Sequence, residues 1–344
     1  MEQRFERETA DLLRSWGKHD REVLRDYLVR DVEDPRINLQ SVLTRHFLME
    51  RLWPGLFGQL KEHEIRFAVA ANWLLGIRKN AALAARHDDI LRALLAGPRE
   101  KPEGVEIPGW VRGIFESLPA EADGMEVPDY ISDVLVRAPP GRQDEPPLPD
   151  HAASTFLGLF RQALAGAPAP QERPTVVEPA CGSANDYRYL DAFGLAAHID
   201  YSGLDLCEKN IANAREMFPA VDFRAGNVLA IEADERTFEI CFVHDLFEHL
   251  SVEALARAVA EVGRVTDRSF LAHFFQMHEE PQHLVRTRED YHWNRLSLEK
   301  VVALFDAAGF ELVRAISIAE LAACRFQDAT THNEHAWTLH LERR

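Results

Sequence analysis

The chain has 344 residues, of which 46% are hydrophobic with charge dispersed along the length, giving room for about two domains and a substantial core. Its formal net charge is -17, from 21 basic and 27 acidic side chains in residues 1–150 and 18 and 29 in residues 151–344, so neither half concentrates the Lys and Arg that long nucleic acids require. The charged start MEQRFERETADLL has no apolar signal core, and no apolar run approaches the length of a membrane span. With Cys181, Cys207, Cys241 and Cys324 forming no CxxC pair, a cytoplasmic protein in a reducing compartment is predicted.

In chain order, apolar spacing predicts helices over Glu6–Trp16, Arg21–Val29, Leu39–Leu52, Leu56–Leu60, Glu64–Leu75 and Ala81–Leu95. Asn38 is placed to cap the third of these. The stretch Asp34–Trp53 packs polar groups densely between apolar ones. Arg36, Gln40, Arg45 and His46 either face an anionic acceptor from a lid or pair with nearby acids inside a structural helix. Proline and acid dominate 97–149, as in APPGRQDEPPLPD, which marks loops and a linker. The expected partition is therefore a helical N-terminal domain over 1–137, a proline-rich linker over 138–150, and a second domain over 151–344 that begins with a helix at His151–Leu164.

After the break GAPAPQERP, Thr175–Asp186 reads TVVEPACGSAND, a short strand ending in an acid, a turn of small residues, and a helix expected over Asn185–Phe193. Such a junction offers a ligand crevice at the carboxyl end of the strand. Only Gly182 is a glycine, and Glu178 would repel a diphosphate, so the turn fails the dinucleotide pattern and suits a cationic cofactor such as S-adenosylmethionine. A second strand ends at Asp205, spaced to accept ribose hydroxyls, and precedes an amphipathic helix. A third runs into Gly226-Asn227, where an amide can read an adenine edge. The fourth, within Thr237–Leu250, runs into an acid- and histidine-rich loop.

This series resembles the class I, Rossmann-like S-adenosylmethionine-dependent methyltransferases, from about Pro174 to the C-terminus. EPACGSA looks like that family's first motif, LDLCEKNI like its ribose motif, GNV like its adenine motif, and Glu248-His249-Leu250 like its fourth-strand loop. Ala180 and Ala184 stand where many members have glycine, and Asn227 where many have aspartate. The resemblance implies a seven-stranded α/β sheet with helices on both faces, its last strand, His335–Glu342, entering antiparallel. It implies cofactor contacts from Glu178, Ala180, Gly182, Asp205, Leu206, Asn227, Val228 and His244. A helical extension in this family often supplies an acceptor pocket or a homodimer contact.

The expected activity is in-line methyl transfer to a small-molecule acceptor. A hydroxyl or ammonium acceptor also needs a base. His244 and His278 are the candidates, each weighed against a structural role. An alternative is a metal-assisted O-methyltransferase: Asp245 and Glu248, three apart on a helix opened by this loop, would join His249 and a group from Glu289 or His292 in a hard-metal site. It resembles the ExxEH motif of metal-dependent 2′-O-methyltransferases and ubiquinone-pathway O-methyltransferases, with aspartate at the first acid. A third alternative is an interaction protein that binds the cofactor without turnover.

Overall fold

The computed structural model describes residues 10, 37–79 (74–79 by backbone alone), 108–111, 157–158, 160–288, 291–326, 329, 331 and 333–344. The expected helices Arg21–Val29 and Ala81–Leu95, all of Glu6–Trp16 but Ala10, the boundaries at 137 and 150, Arg36 and Glu289 lie outside the described residues.

Helix α1 spans Leu39–Leu52, as its spacing predicts, with the Asn38 side chain accepting from the amides of Gln40 and Ser41. Helix α2 spans Gly58–Lys79 and replaces the two helices expected at Leu56–Leu60 and Glu64–Leu75. The residues between them, Lys61 to His63, hold no breaker, so one helix continues through. Its start is set by Gly55 and Phe57, both at positive φ.

The rest of the chain alternates strand and helix: β1 Thr175–Pro179, α3 Tyr187–Ala192, β2 Asp200–Asp205, α4 Glu208–Met217, β3 Asp222–Ala225, β4 Phe238–His244, α5 Val252–Val265, β5 Thr266–Phe274, β6 Met277–His278, β7 Leu296–Ser297, α6 Leu298–Ala307, β8 Phe310–Ser317, α7 Ile318–Ala323 and β9 Trp337–Arg343. Seven strands form one sheet in the order β3-β2-β1-β4-β5-β9-β8, while β6 and β7 pair separately. The first five are parallel, and β9 enters antiparallel to both β5 and β8, as expected. Beyond β5, residues 275–296 form an excursion closed by the β6–β7 ladder.

Alternating side chains feed two cores. Val176, Tyr201, Phe223, Ile240, Phe242 and Leu271 meet α1, α2, α3, α4 and α7 on one face. Val177, Cys241, Val243, Phe270 and Ala272 meet α5 and α6 on the other. The described N-terminal helices are thus part of the same core as the sheet. Helix α1 runs along β5 and β9: Gln40 Nε2 donates to the carbonyls of Phe274 and Trp337 near one end, and Arg51 bonds Ser269 and Glu342 at the other. Asn38 and Gln40 therefore lie by the carboxyl end of β5.

Candidate functional site

The turn after β1 follows the path a glycine-rich loop would take. Ala180, Gly182 and Ala184 all have positive φ, at 64°, 56° and 62°. The two alanines accept a left-handed conformation that costs about 1–2 kcal/mol per residue outside glycine. A Cβ on Gly182 would meet the Asn185 side chain, which can turn aside, so it is the positive φ that calls for glycine there. Helix α3 starts at Tyr187, later than the expected Asn185. Asp186 occupies its cap position without capping it, because that carboxylate is bonded elsewhere.

Asp205 ties the turn to the next loop. Its Oδ2 accepts from the Gly182 amide at 2.9 Å, and its Oδ1 from the Cys207 amide at 2.8 Å and Asn210 Nδ2 at 3.2 Å. Three of roughly four acceptor positions are used. Burial raises its carboxyl above the ordinary range, opposed by these donors. Leu206 follows half-buried. Asn227 Oδ1 accepts from the Leu229 amide at 2.9 Å, holding the loop after β3, and Val228 is half-buried beside it.

Glu178 is buried and accepts a hydrogen bond from the Tyr201 hydroxyl. Burial pushes its carboxyl well above the ordinary range, and the charges of Asp186 and Asp205 push it further. Asp186 behaves in the opposite way: burial would raise it, but His244, Ser41 and Arg45 outweigh burial and hold it low. Two neighbouring acids are thus shifted in opposite directions, a division typical of functional sites.

His244, at the end of β4, places Nδ1 2.9 Å from Asp186 Oδ2 and Nε2 3.1 Å from the Thr44 hydroxyl. Both ring nitrogens are engaged within the protein. His278, on β6, bonds the Arg295 carbonyl through Nε2 at 3.2 Å. As a donor there, Nε2 carries a proton.

The fourth-strand loop departs from the helix expected for a metal site. Asp245 has φ 47°, and only a 3-10 turn at Phe247–His249 follows, so Asp245 and Glu248 do not share a helical face. Glu248 Oε1 accepts from the amides of Phe275 and Gln276, His249 Nδ1 faces the His292 carbonyl at 3.1 Å, and Asn294 donates its amide to the Glu248 carbonyl. Burial raises the Glu248 carboxyl to about 7 and lowers His249 to about 4. These groups clip the 275–296 excursion to the end of β4. Among the described residues, no three His, Cys, Asp or Glu side chains gather as a metal site.

On α1, Arg45 and His46 turn into the core, where Glu64 of α2 takes Arg45 at 2.5 Å and His46 at 2.6 Å. Of the two arrangements open in the sequence, pairing with an acid is the one seen. Ser41, Thr44, Asp186 and His273 were not singled out in the sequence. The dense polar spacing of Asp34–Trp53 was the signal for Ser41 and Thr44. A cleft of about 550 Å³ lined by Trp53, Pro174, Glu239 and Arg268 opens at the amino ends of β1 and β4, opposite the crevice where such sheets bind ligands.

Residues 176–269 match the family model of the methyltransferase domain. This segment is a methyltransferase domain. No curated protein matches the chain. Solved structures similar to it include a chain of the complex between the Haloferax volcanii Trm112 methyltransferase activator and a methyltransferase, at 20% identity over 52% of this chain and 86% of that one, with a TM-score of 0.39. An S-adenosylmethionine-dependent methyltransferase from Mesorhizobium loti matches at 14% over 54% and 96%, with a TM-score of 0.39. The CcbJ methyltransferase from Streptomyces caelestis matches at 14% over 54% and 87%, with a TM-score of 0.37. The donor set suits the methyltransferase cofactor: Glu178, Asp186 and Asp205 surround the turn with carboxylates, to which a sulfonium and an ammonium are complementary.

Proposed function

We propose that the chain methylates a small-molecule acceptor in the cytoplasm, using a crevice bounded by the turn after β1, the ends of β2 and β4, and the 275–296 excursion. The observation that carries the cofactor site is the trio Glu178, Asp186 and Asp205, electrostatically coupled around a turn with one glycine and no phosphate cradle. The net charge of -17 and the four free cysteines support a small acceptor and a reducing compartment.

Bound there, S-adenosylmethionine supplies an activated methyl group. Asp205 would keep an acceptor position for the ribose, Asn227 and Val228 would border the adenine, and Leu206 would offer an apolar edge. Glu178 and Asp186 bias the other end of the crevice towards positive charge. In-line displacement forms the acceptor–methyl bond as the carbon–sulfur bond breaks, its electron pair passing to sulfur. The acceptor's proton needs a base, and His278 Nδ1 is the better placed of the two histidines because Nε2 is already fixed on the Arg295 carbonyl.

Calorimetry with S-adenosylhomocysteine tests this reading. Wild type should bind, and Asp205→Ala, shown folded by melting, should bind at least tenfold more weakly, about 1.4 kcal/mol. A folded wild type that binds nothing overturns it.

A further inference from the structure

Thr44 of α1 carries one hydroxyl, and three acceptors or ring nitrogens converge on it: the Gln40 carbonyl at 3.3 Å, His244 Nε2 at 3.1 Å and His273 Nε2 at 2.8 Å. The two rings meet edge to face with centroids 3.9 Å apart. Beyond them, His273 Nδ1 lies 2.9 Å from the Thr338 hydroxyl, and Ser41, one turn before Thr44, donates to Asp186 Oδ1 at 3.1 Å. Thr44, His273 and Thr338 are buried, so water does not complete their hydrogen bonding.

Counting protons fixes the chain's direction. The ionised Asp186 accepts only, so His244 Nδ1 must carry a proton. The one proton of the Thr44 hydroxyl goes to the Gln40 carbonyl, so His244 Nε2 must also carry a proton and donate to the Thr44 oxygen. The Thr44 oxygen also receives Nε2–H of His273, leaving His273 Nδ1 to accept from Thr338. Burial, with His244 as neighbour, keeps His273 neutral. A cationic His244 facing Asp186 and a neutral His273 make all of these contacts at once.

We propose that Thr44 is a positioning residue of the methyl-transfer site: through one hydroxyl shared by two imidazoles, α1 holds His244 turned towards Asp186 beside the cofactor crevice. Ser41 and Thr44 share a helical face and grip the Asp186–His244 pair from its two ends. The proposal rests on the reading above only in taking this crevice as the cofactor site.

Long-range proton–nitrogen NMR of the full chain, labelled at histidine, tests it together with S-adenosylhomocysteine binding. Wild type should show His244 protonated at both ring nitrogens and His273 at Nε2 alone. Thr44→Val should shift both rings and weaken binding about tenfold, and Thr44→Ser should restore both. A wild-type His244 without a proton at Nε2, a His273 protonated at Nδ1, or unmoved ring signals in a folded Thr44→Val, overturn the proposal. Binding indifferent to a folded Thr44→Val overturns the positioning role alone. Expected ring signals in a wild type that binds no S-adenosylhomocysteine refute the functional reading and leave the hydrogen-bond assignment standing. Should Thr44→Val not fold, the wild-type protonation states and Thr44→Ser decide.

Discussion

The two faces of the sheet are built from different materials. Under α5 and α6 the core is apolar and aromatic, with Phe247, Phe270, Phe274, Phe305 and Phe310 in contact. Under α1 and α3, buried Glu178, Asp186, Arg45, Glu64 and His273 are threaded through the packing. An apolar face needs only volume to be filled. A face carrying charge needs every partner in place, and that is where the proposed cofactor crevice lies.

The largest expected effects separate the two materials. Phe270→Ala and Glu64→Gln should each cost about 3–5 kcal/mol, the first by leaving a cavity and the second by leaving Arg45 buried beside a neutral amide. They should differ in acid. Burial would raise the Glu64 carboxyl, but Arg45 and His46 outweigh burial and hold it low. Its contribution is therefore full above the unfolded carboxylate value, about 4.3, and is lost as pH falls through the folded one. Urea unfolding below about pH 5 should keep this slope in Phe270→Ala and flatten it in Glu64→Gln.

Next comes Glu178→Gln. A carboxyl raised in the folded state lowers stability as pH climbs from its unfolded to its folded value. Removing that carboxyl should make the protein more stable at neutral pH and weaken binding of the cationic cofactor. A variant less stable at neutral pH would show that the buried acid is compensated in full. The smallest effect is Ala180→Gly. Relief of the left-handed conformation, less the added chain entropy of glycine, should raise stability by about 0.5–1 kcal/mol in thermal melts.

How much of this was legible depended on distance along the chain. The strands, Glu178 and Asp205 were readable because each signal lies within a few residues of itself. The bounds of α1 and its Asn38 cap were readable for the same reason. The metal-site helix failed on one backbone angle, that of Asp245, which its side-chain spacing does not reveal. The role of α1 was hidden for another reason. Dense polar spacing marked the helix as unusual, but its partners His244 and His273 lie 200 and 229 residues away. Periodicity shows which face of a helix is odd and cannot show what completes it.

That separation has a consequence for how the molecule is made. Gln40 reaches the Trp337 carbonyl across 297 residues, so α1 is seated by a strand synthesised long after it. Until β9 slots between β5 and β8, α1 lacks part of its berth, and its polar side chains must wait in water. Closing such distant contacts is slow. Refolding should therefore show the cofactor face maturing after the apolar one, with binding competence the last property to return.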